Sequence, residues 1–469
     1  MAERDRRLEA GSLRDPSLRL RKDVIAALRR GTVPDTGLAL YATGMDRYAR
    51  VLEDELEDAA AGRGVFKAVR GEWGEGKTFF ARWLEARALE GGFATAEVQI
   101  SETETPLYKL ETVYRRAMER LSTSTVPKNA FRSIVDGWLY GLEDELRAAG
   151  ELTSDDPADV ATAVDRALEQ RLKRVSQANQ SFAAVLRAYH QAALAGNEAL
   201  AQGLIAWISG QPNVPAAVKR EGGVKGEIDT RAALTCFQGL LVVLKESGHK
   251  GLVLVLDEVE TIQRQPRNVR DRSLEGLRKL IDELDAKSLP GLYLLITGTP
   301  AFFKEREGVQ RLVPLAQRVN VDFGADPRRD NLRAPQVRLL PFDRARLVEV
   351  GRRVRDLYPG DDPQRIAARV GDGFLSGMAD AVIGKLGGSA GISPRLFLRK
   401  LVDVLDRVND QPDFDPATEY VVELNPEELN PLERERAGIV LSPGDLSALR
   451  PNERDDEAMR ADDVPLEGL

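Results

Sequence analysis

"VRGEWGEGKTFFARW", residues 69–83, is a glycine-rich turn between an apolar run and a segment with helical character. Its glycines and its Lys-Thr pair satisfy G-x-x-x-x-G-K-[ST], a pattern whose backbone N–H groups curl around a polyphosphate. Glycine is needed because the loop takes backbone angles that a Cβ forbids. The predicted nucleotide-binding residues are those of the loop and the first helical turn: Gly71, Glu72, Trp73, Gly74, Glu75, Gly76, Lys77, Thr78 and Phe79.

The Lys-Thr pair at the end of this loop predicts Mg-ATP as the ligand. Lys77 would reach the β- and γ-phosphates, and the hydroxyl of Thr78 would bind Mg²⁺. The partial positive charge of the following helix N-terminus adds to phosphate binding. We predict a strand over 65–69 and a helix over 79–87, which is the context that this loop requires. A glycine-rich turn without a ligand is the alternative interpretation.

A second motif, "GLVLVLDEVE" at residues 251–260, predicts the metal ligand and the catalytic base. Residues 252–256 are an uninterrupted apolar run, typical of a strand buried on both faces. Asp257 closes this run at the carboxyl end, where parallel sheets form their sites, and is the predicted Mg²⁺-associated carboxylate. Glu258 is the predicted general base for the attacking water. A surface acidic turn is the alternative.

Further candidates follow a third apolar strand and begin a later helix. In additional-strand ATPases, a polar residue at the tip of the strand beside the Asp-Glu motif senses the γ-phosphate, so Thr297 or Thr299 of "GLYLLITGTP" is a candidate. The Ser393-Pro394 pair predicts a helix start with Arg395 in its first turn. Arg395 is either a sensor arginine for the phosphates or an ordinary solvated arginine, and strand-end threonines are common by chance.

A neighbouring subunit is predicted to complete the site. P-loop ATPases often take an arginine from the adjacent subunit, so the sequence predicts a homo-oligomer. Arg318 in "RLVPLAQRV" is the first candidate for this arginine, and Arg311 is the second.

Taken together, these segments resemble the ATP-binding proteins of BREX phage-defence loci, a P-loop family of the AAA+/STAND group. The resemblance rests on "RRGTVPDTGLALYATGMDRY", "GEWGEGKTFF", "GLVLVLDEVE" and "ITGTPAFF", and it covers about residues 20–405. It implies a bacterial, cytoplasmic ATPase that acts with other defence proteins around DNA. It also implies that Lys77, Thr78, Asp257 and Glu258 are catalytic, and that the segment from Arg29 to Gly44 is an arm near the nucleotide.

Composition excludes several other classes. The 469 residues are 42% hydrophobic and 30% charged, as in ordinary globular proteins. The single cysteine, Cys236, lies in an apolar stretch and predicts a buried thiol, a reducing compartment and no disulfide framework. His190 and His249 are far apart and suggest no metal site. No apolar run reaches membrane-spanning length, and the first residues lack the apolar region of a signal peptide.

Charge is unevenly distributed along the chain, although its sum is -8. Residues 451–469 are strongly acidic, whereas residues 1–30 and 261–280 are each net basic. The basic run after Asp257, which contains Arg264, Arg267, Arg270 and Arg272, is a candidate for contact with the backbone of duplex DNA. A solvated helix face, or arginines at a subunit interface, are the alternatives.

The predicted fold class is α/β, with a P-loop NTPase parallel-sheet core of AAA+ type, a helical insertion and a C-terminal helical lid. The predicted organisation is a helical arm over 1–60, the core over 61–330 with its insertion at about 125–225, the lid over 331–405 and a flexible acidic tail over 406–469. The insertion is predicted from two apolar stripes at helical spacing.

Three functions remain open from the sequence. One is an oligomeric Mg-ATP-dependent motor or switch that works near DNA in a defence assembly. Another is a STAND-type signalling switch in which nucleotide exchange rearranges partners. A small-molecule kinase is disfavoured because no acceptor-site constellation is present.

Overall fold

A parallel β-sheet carries the acidic motif and leads into the glycine-rich loop. The computed structural model describes residues 16–386, 393–429 and 431–439. Within these residues the sheet has five strands: β1 (Val65–Arg70), β2 (Ala94–Gln99), β3 (Leu252–Asp257), β4 (Leu292–Gly298) and β5 (Gln336–Arg338). Their spatial order is β2-β3-β4-β1-β5. The strands predicted at residues 65–69 and 252–256 are confirmed.

The order of the strands brings the ends of β1 and β3 to one edge of the sheet. Every pairing in the sheet is parallel, and β4 lies between β1 and β3. All residues of β3 and β4 are buried, which explains why both strands are continuous apolar runs. Ligand sites of open parallel sheets form at the carboxyl ends of the strands. The sheet therefore presents the segment after β1 and the Asp-Glu motif after β3 at its functional edge.

The described residues divide into two compact units. The sheet unit comprises residues 48–72 and 84–339, and the lid unit comprises the described parts of 1–47, 73–83 and 340–449. The helices α2 (Asp46–Ala60) and α3 (Lys77–Glu90) each contain residues of both units.

Outside the insertion, the sheet unit contains helices that connect its strands. They are α4 (Leu110–Arg120), α11 (Thr230–Glu246), α12 (Arg267–Asp285), α13 (Pro300–Lys304) and α14 (Val313–Val319). Cys236 lies on α11 and is fully buried, and this burial raises the pKa of its thiol to about 12. The thiol therefore stays protonated near neutral pH and behaves as a small core residue.

The insertion between β2 and β3 is helical, and both apolar stripes predicted there are buried. Its helices are α5 (Phe131–Ala148), α6 (Pro157–Arg171), α7 (Lys173–Ala178), α8 (Gln180–Leu194), α9 (Glu198–Ile208) and α10 (Ala216–Glu221). Tyr114 of α4 joins the insertion to the connecting helices, because its hydroxyl donates to the carbonyl of Ile208 and its ring packs edge-on against Phe237. Insertion and sheet thus share one core.

The lid unit consists of helices from both ends of the chain. They are α1 (Leu18–Arg29), α15 (Arg344–Leu357), α16 (Pro363–Arg369), α17 (Asp372–Lys385), α18 (Pro394–Asp410), α19 (Pro416–Glu419) and α20 (Pro431–Arg436). α18 contacts α1, α15, α16 and α17. Arg29 of α1 and Asp406 of α18 form a bidentate ion pair at 2.7 Å. No helix in the described part of the chain is long and apolar enough to cross a bilayer.

The structure differs from the predicted organisation at two places. The core was predicted to end at residue 330, but β5 lies beyond it and pairs with β1. The tail was predicted to be flexible from residue 406, but 406–410 complete α18, and the helices α19 and α20 follow it. Glu428 and Glu433 of this segment form ion pairs with Lys400 and Arg395 of α18. The predicted tail from 440, residues 1–15 of the predicted arm and residues 387–392 of the turn "GKLGGSAGISPR" lie outside the described residues.

A buried ion pair fixes α2 against β1. Lys67 of β1 is 1% exposed, and its ammonium group contacts the carboxylate of Glu55 at 2.5 Å. It also donates to the carbonyls of Leu332 and Ala334. The hydroxyl of Tyr293 donates to Glu55 at 2.7 Å, which ties β4 into the same network. Burial lowers the pKa of Lys67, and the charge of Glu55 opposes this effect.

Replacing Lys67 with alanine is expected to destabilise the sheet unit by about 3 to 5 kcal/mol, because it leaves the carboxylate of Glu55 largely buried without its cation. Chemical denaturation of the variant measures the change. Lys304→Ala removes an exposed lysine at the end of α13 and serves as the matched control. An equal loss in both variants would show that the network contributes nothing specific.

Candidate nucleotide site

The glycine-rich loop starts at the carboxyl edge of the sheet. Its first residue, Gly71, donates its backbone N–H to the carbonyl of Gly298 at 3.2 Å, at the end of β4. Gly74 and Gly76 have φ angles of 83° and 94°. Side chains other than glycine rarely adopt this left-handed region, so the loop needs glycine at both positions. The loop geometry therefore fits a backbone cradle for an anion.

The lid unit contains the rest of this loop and packs closely around it. A Cβ added at Gly74 would lie 2.4 Å from the Oγ atom of Ser393, the residue directly before α18. Helix α3 begins with Lys77, and the N–H of Phe80 donates to the carbonyl of Gly76. The Lys77 side chain is largely buried, at 7% exposure. A buried cation at a helix start after a glycine loop fits the predicted phosphate-binding role.

The predicted arm also lies against this helix within the lid unit. The ring of Tyr41 packs edge-on against Phe79, the residue after Thr78, at 5.4 Å. The guanidinium group of Arg82 donates to the carbonyl of Val33 at 2.6 Å. The segment from Arg29 to Gly44 is thus held next to the start of α3.

Asp257 and Glu258 are oriented by the neighbouring strand. Asp257 ends β3, is 3% exposed and accepts a hydrogen bond from the hydroxyl of Thr297 on β4. The backbone N–H of Glu258 donates to the same hydroxyl oxygen at 3.2 Å. Thr297 thus holds the side chain of one acidic residue and the backbone of the next.

The backbone of Glu258 turns sharply out of the sheet. Its φ of 58° lies in the left-handed region, an arrangement that costs a non-glycine residue about 1 to 3 kcal/mol. The side-chain amide of Gln99, the last residue of β2, donates to its carboxylate at 2.8 Å. Gln99 was missed in the sequence, although a polar residue at the end of the strand next to β3 was an available signal.

The two candidate sensor threonines have different contacts. Thr297 contacts Asp257, as described, whereas the hydroxyl of Thr299 accepts a weak hydrogen bond of 3.4 Å from the N–H of Phe302. Thr299 is the N-cap of α13. The role of either residue toward a phosphate stays a prediction.

We expect Thr297→Val to weaken Mg²⁺ binding by about 10- to 100-fold, the usual cost of losing a group that orients a metal ligand, so that more Mg²⁺ is needed for half-maximal turnover. Thr299→Val is the comparison, and it is expected to cost about 1 kcal/mol of stability through its cap. Titrating Mg²⁺ against ATP turnover separates the two effects. A normal Mg²⁺ dependence in Thr297→Val would contradict the orienting role.

The two candidates for the inter-subunit arginine are ion-paired within the sheet unit. Arg318 lies 2.5 Å from a carboxylate oxygen of Asp282 and donates to the carbonyl of Pro314. Arg311 pairs with Asp271. A role in a neighbouring subunit would require either arginine to exchange its present partner.

Arg395 is also paired, here within the lid unit. Its guanidinium group lies 3.2 Å from a carboxylate oxygen of Glu433 and donates to the carbonyl of Glu428 at 3.0 Å. The helix start predicted at Ser393 and Pro394 is confirmed, and Arg395 occupies the first turn. The structure thus gives Arg395 a protein partner, and its role toward phosphates stays a prediction.

The basic run after β3 does not form one exposed face, contrary to the sequence interpretation. Arg270 is 4% exposed and donates to the carbonyl of Gln265, because α12 turns this residue toward the core. Arg272 is exposed and stacks over the ring of Tyr108 at 4.6 Å. Arg264 is also exposed. Any DNA contact in this run is therefore restricted to exposed members such as Arg264 and Arg272.

The fold and the loop together define the class of protein. In this parallel sheet, β4 lies between β1, which leads into the glycine-rich loop, and β3, which ends in Asp257. This arrangement is the P-loop core of additional-strand type. The chain belongs to the family described as BREX system ATP-binding protein BrxC/D, whose model matches residues 17–423. The resemblance seen in the sequence is confirmed, and the chain is an ATP-binding protein of the BREX type of defence system.

Other comparisons give a distant structural likeness. The chain is similar to the structure of the Aeropyrum pernix ORC2 protein in its ADPNP-ADP complexes, with 14% sequence identity and a TM-score of 0.31. The alignment covers 90% of this chain and 82% of that chain. A search of curated protein sequences returns no match.

Proposed function

We propose that this chain hydrolyses ATP in a Mg²⁺-dependent reaction and uses the cycle as a motor or switch within a BREX assembly. The observation that carries this proposal is the arrangement of Asp257 and Glu258 at the end of β3. Thr297 orients Asp257, and Gln99 holds the carboxylate of Glu258. A protein that only bound nucleotide would not need a separate, positioned carboxylate after the metal ligand.

Nucleotide binding is assigned to the glycine-rich loop. Its left-handed glycines give the loop the backbone shape that cradles phosphate oxygens in such motifs, and Lys77 would neutralise phosphate charge. The motifs assign Thr78 and Asp257 to Mg²⁺, and the largely buried, oriented carboxylate of Asp257 is the hard oxygen ligand that this ion takes. When bound, Mg²⁺ would stabilise the negative charge that develops on the phosphates.

Glu258 is assigned the proton transfer. Its carboxylate accepts a proton from the attacking water while the bond to the leaving ADP breaks. The hydrogen bond from Gln99 fixes the direction of this carboxylate. Gln99 therefore sets how freely Glu258 reaches a water molecule.

The experiment that tests this proposal is a measurement of phosphate release from ATP by the purified full chain, with Mg²⁺ and with EDTA. We expect Mg²⁺-dependent release. Tight ATP binding with no hydrolysis in the presence of Mg²⁺, duplex DNA and the other BREX proteins would reject the enzymatic part and leave a binding protein.

A STAND-type switch is the second candidate, and the ion pairs of Arg395 and Arg318 favour it. Both arginines predicted to contact phosphates are held by carboxylates of the same chain, as expected of a resting state whose ion pairs must open on nucleotide exchange or on assembly.

We propose that the chain acts in the cytoplasm with other defence proteins and self-associates when ATP is bound. The mass of the complex with and without ATP tests the assembly. Loss of turnover in Arg318→Ala, with self-association unchanged, is expected if Arg318 completes the site of the adjacent subunit.

We expect direct contact with DNA to depend on exposed arginines. Replacing Arg264 and Arg272 with alanine should reduce the slope of log affinity against log salt by about two, because each phosphate contact contributes about 0.9. Titration of labelled duplex at several salt concentrations measures this slope. Asn268→Ala is an uncharged control at an exposed position of the same segment. An unchanged slope in the double variant would exclude this face from DNA binding.

A further inference from the structure

The C-terminal part of the described chain places two carboxylates on the cationic start of α18. Glu428 lies 2.7 Å from the ammonium group of Lys400 and 3.5 Å from the guanidinium group of Arg399. Glu433 lies 3.2 Å from the guanidinium group of Arg395. We call Glu428 and Glu433 the acidic clasp. The clasp pairs with three cations within the first two turns of one helix.

The burial of these groups separates the clasp from an ordinary surface ion pair. The side chain of Glu433 is 4% exposed and that of Glu428 is 16% exposed. A carboxylate withdrawn from water in this way is costly unless a cation compensates it. The side chain of Arg395 itself remains 39% exposed and is therefore reachable from solvent.

The helix start that the clasp covers lies against the glycine-rich loop within the lid unit. Ser393, directly before α18, is 2% exposed, and its hydroxyl lies where a Cβ on Gly74 would clash. The Oγ atom of Ser393 has no hydrogen-bond partner among the described residues. Arg395 follows two residues later, and its side chain approaches Gly31 of the arm. Loop, arm and the first turn of α18 thus form one neighbourhood.

The clasp lies after the residues that the family model matches. The family model matches residues 17–423, and both clasp residues come after its last matched position. Arg395, Arg399 and Lys400 lie inside the matched region. Both carboxylates therefore lie in the part of the chain that follows the matched residues.

We propose that the acidic clasp is an autoinhibitory element that occupies Arg395 until a nucleotide phosphate displaces Glu433. This inference rests on the proposed function and on the predicted role of Arg395 as a sensor arginine for the phosphates of ATP. A carboxylate and a phosphate compete for the same guanidinium group, because its planar donors match both. Occupation by Glu433 reduces the affinity for ATP, since the ion pair must open before Arg395 can bind phosphate.

Release of the clasp is tested by binding of a non-hydrolysable ATP analogue, the β,γ-imido triphosphate, to full-length variants. Glu433→Gln keeps the shape of the side chain and removes its charge, and it should tighten binding at least about tenfold, the size of one charge-assisted hydrogen bond. Glu428→Gln should also tighten binding, because it weakens the ion pairs with Arg399 and Lys400 that help to hold Glu433 near Arg395. Glu435→Gln, an exposed glutamate on the same short helix, is the matched control and should bind like wild type.

A double variant identifies Arg395 as the group through which the clasp acts. In an Arg395→Ala background, Glu433→Gln should no longer tighten binding. If the lost charge acted in a general way, Glu433→Gln would still tighten binding in that background. Thermal melting of each variant establishes that it is folded at the assay temperature. If Glu433→Gln is not, Glu428→Gln decides in its place.

Two outcomes overturn the clasp. The first is that folded Glu433→Gln and Glu428→Gln bind the analogue no more tightly than wild type. The second is that Glu433→Gln tightens binding equally with and without Arg395. Failure of the proposed function gives a different result: neither wild type nor any clasp variant would bind the analogue, or Lys77→Ala would bind it as well as wild type.

Discussion

Lys77→Ala is expected to remove most of the affinity for ATP. The side chain of Lys77 is largely buried at the start of α3, directly after the left-handed Gly76. Its removal leaves phosphate charge without a partner in a site shielded from water. Truncating one member of such a pair costs about 2 to 5 kcal/mol, which weakens binding by about 30-fold to several thousandfold. Equilibrium binding of labelled ATP to the purified chain measures the loss.

Lys304→Ala is the matched control for this experiment, since Lys304 is an exposed lysine that also lies in a helix. It should bind ATP like wild type. Binding by Lys77→Ala within threefold of wild type would show that the glycine-rich loop does not hold the phosphates, and would remove the basis of the proposed function.

Glu258→Gln is expected to keep ATP binding and to reduce hydrolysis by about 10²- to 10⁴-fold, the contribution of a positioned general base. The substitution preserves the size of the side chain, so the contact with Gln99 can re-form through the amide oxygen. The amide cannot accept the proton of the attacking water. Single-turnover phosphate release, measured with the protein in excess of ATP and at saturating protein concentration, separates this loss from any change in affinity.

The control for the catalytic base is Glu305→Gln, at an exposed position after α13. Wild-type turnover in Glu258→Gln would assign the base elsewhere. Weakened binding with an unchanged rate at saturation would instead make Glu258 a residue for binding.

The sheet was predictable because its signals are local. β3 and β4 are continuous apolar runs since both of their faces are buried, and such runs are recognisable in the sequence. The glycine-rich loop was predictable for a related reason, because Gly74 and Gly76 adopt angles that only glycine takes readily. The stripes at Phe131 and Val160 predicted buried helix faces in the insertion, and both are observed.

Other features depended on distant parts of the chain. β5 has three residues, too few to show a period, and it is defined only by its pairing with β1. Arg270 was interpreted as a surface cation because charge normally implies exposure, but the rotation of α12 turns it inward. The choice between Thr297 and Thr299 could not be made from two hydroxyls that are two residues apart. Only the position of Asp257 on the adjacent strand shows which one contacts it.

By itself, the sequence determined the class of fold, the glycine-rich loop, the Asp-Glu motif and the family, since each depends on residue types at short, regular spacing. Tertiary structure alone decided which groups hold those residues: Thr297 on Asp257, Gln99 on Glu258, and Glu433 on Arg395. These partners are 40, 159 and 38 residues apart in the chain. No local preference encodes such pairings, because a hydrogen bond or ion pair forms only after the strands and helices have packed and brought the two groups within about 3 Å.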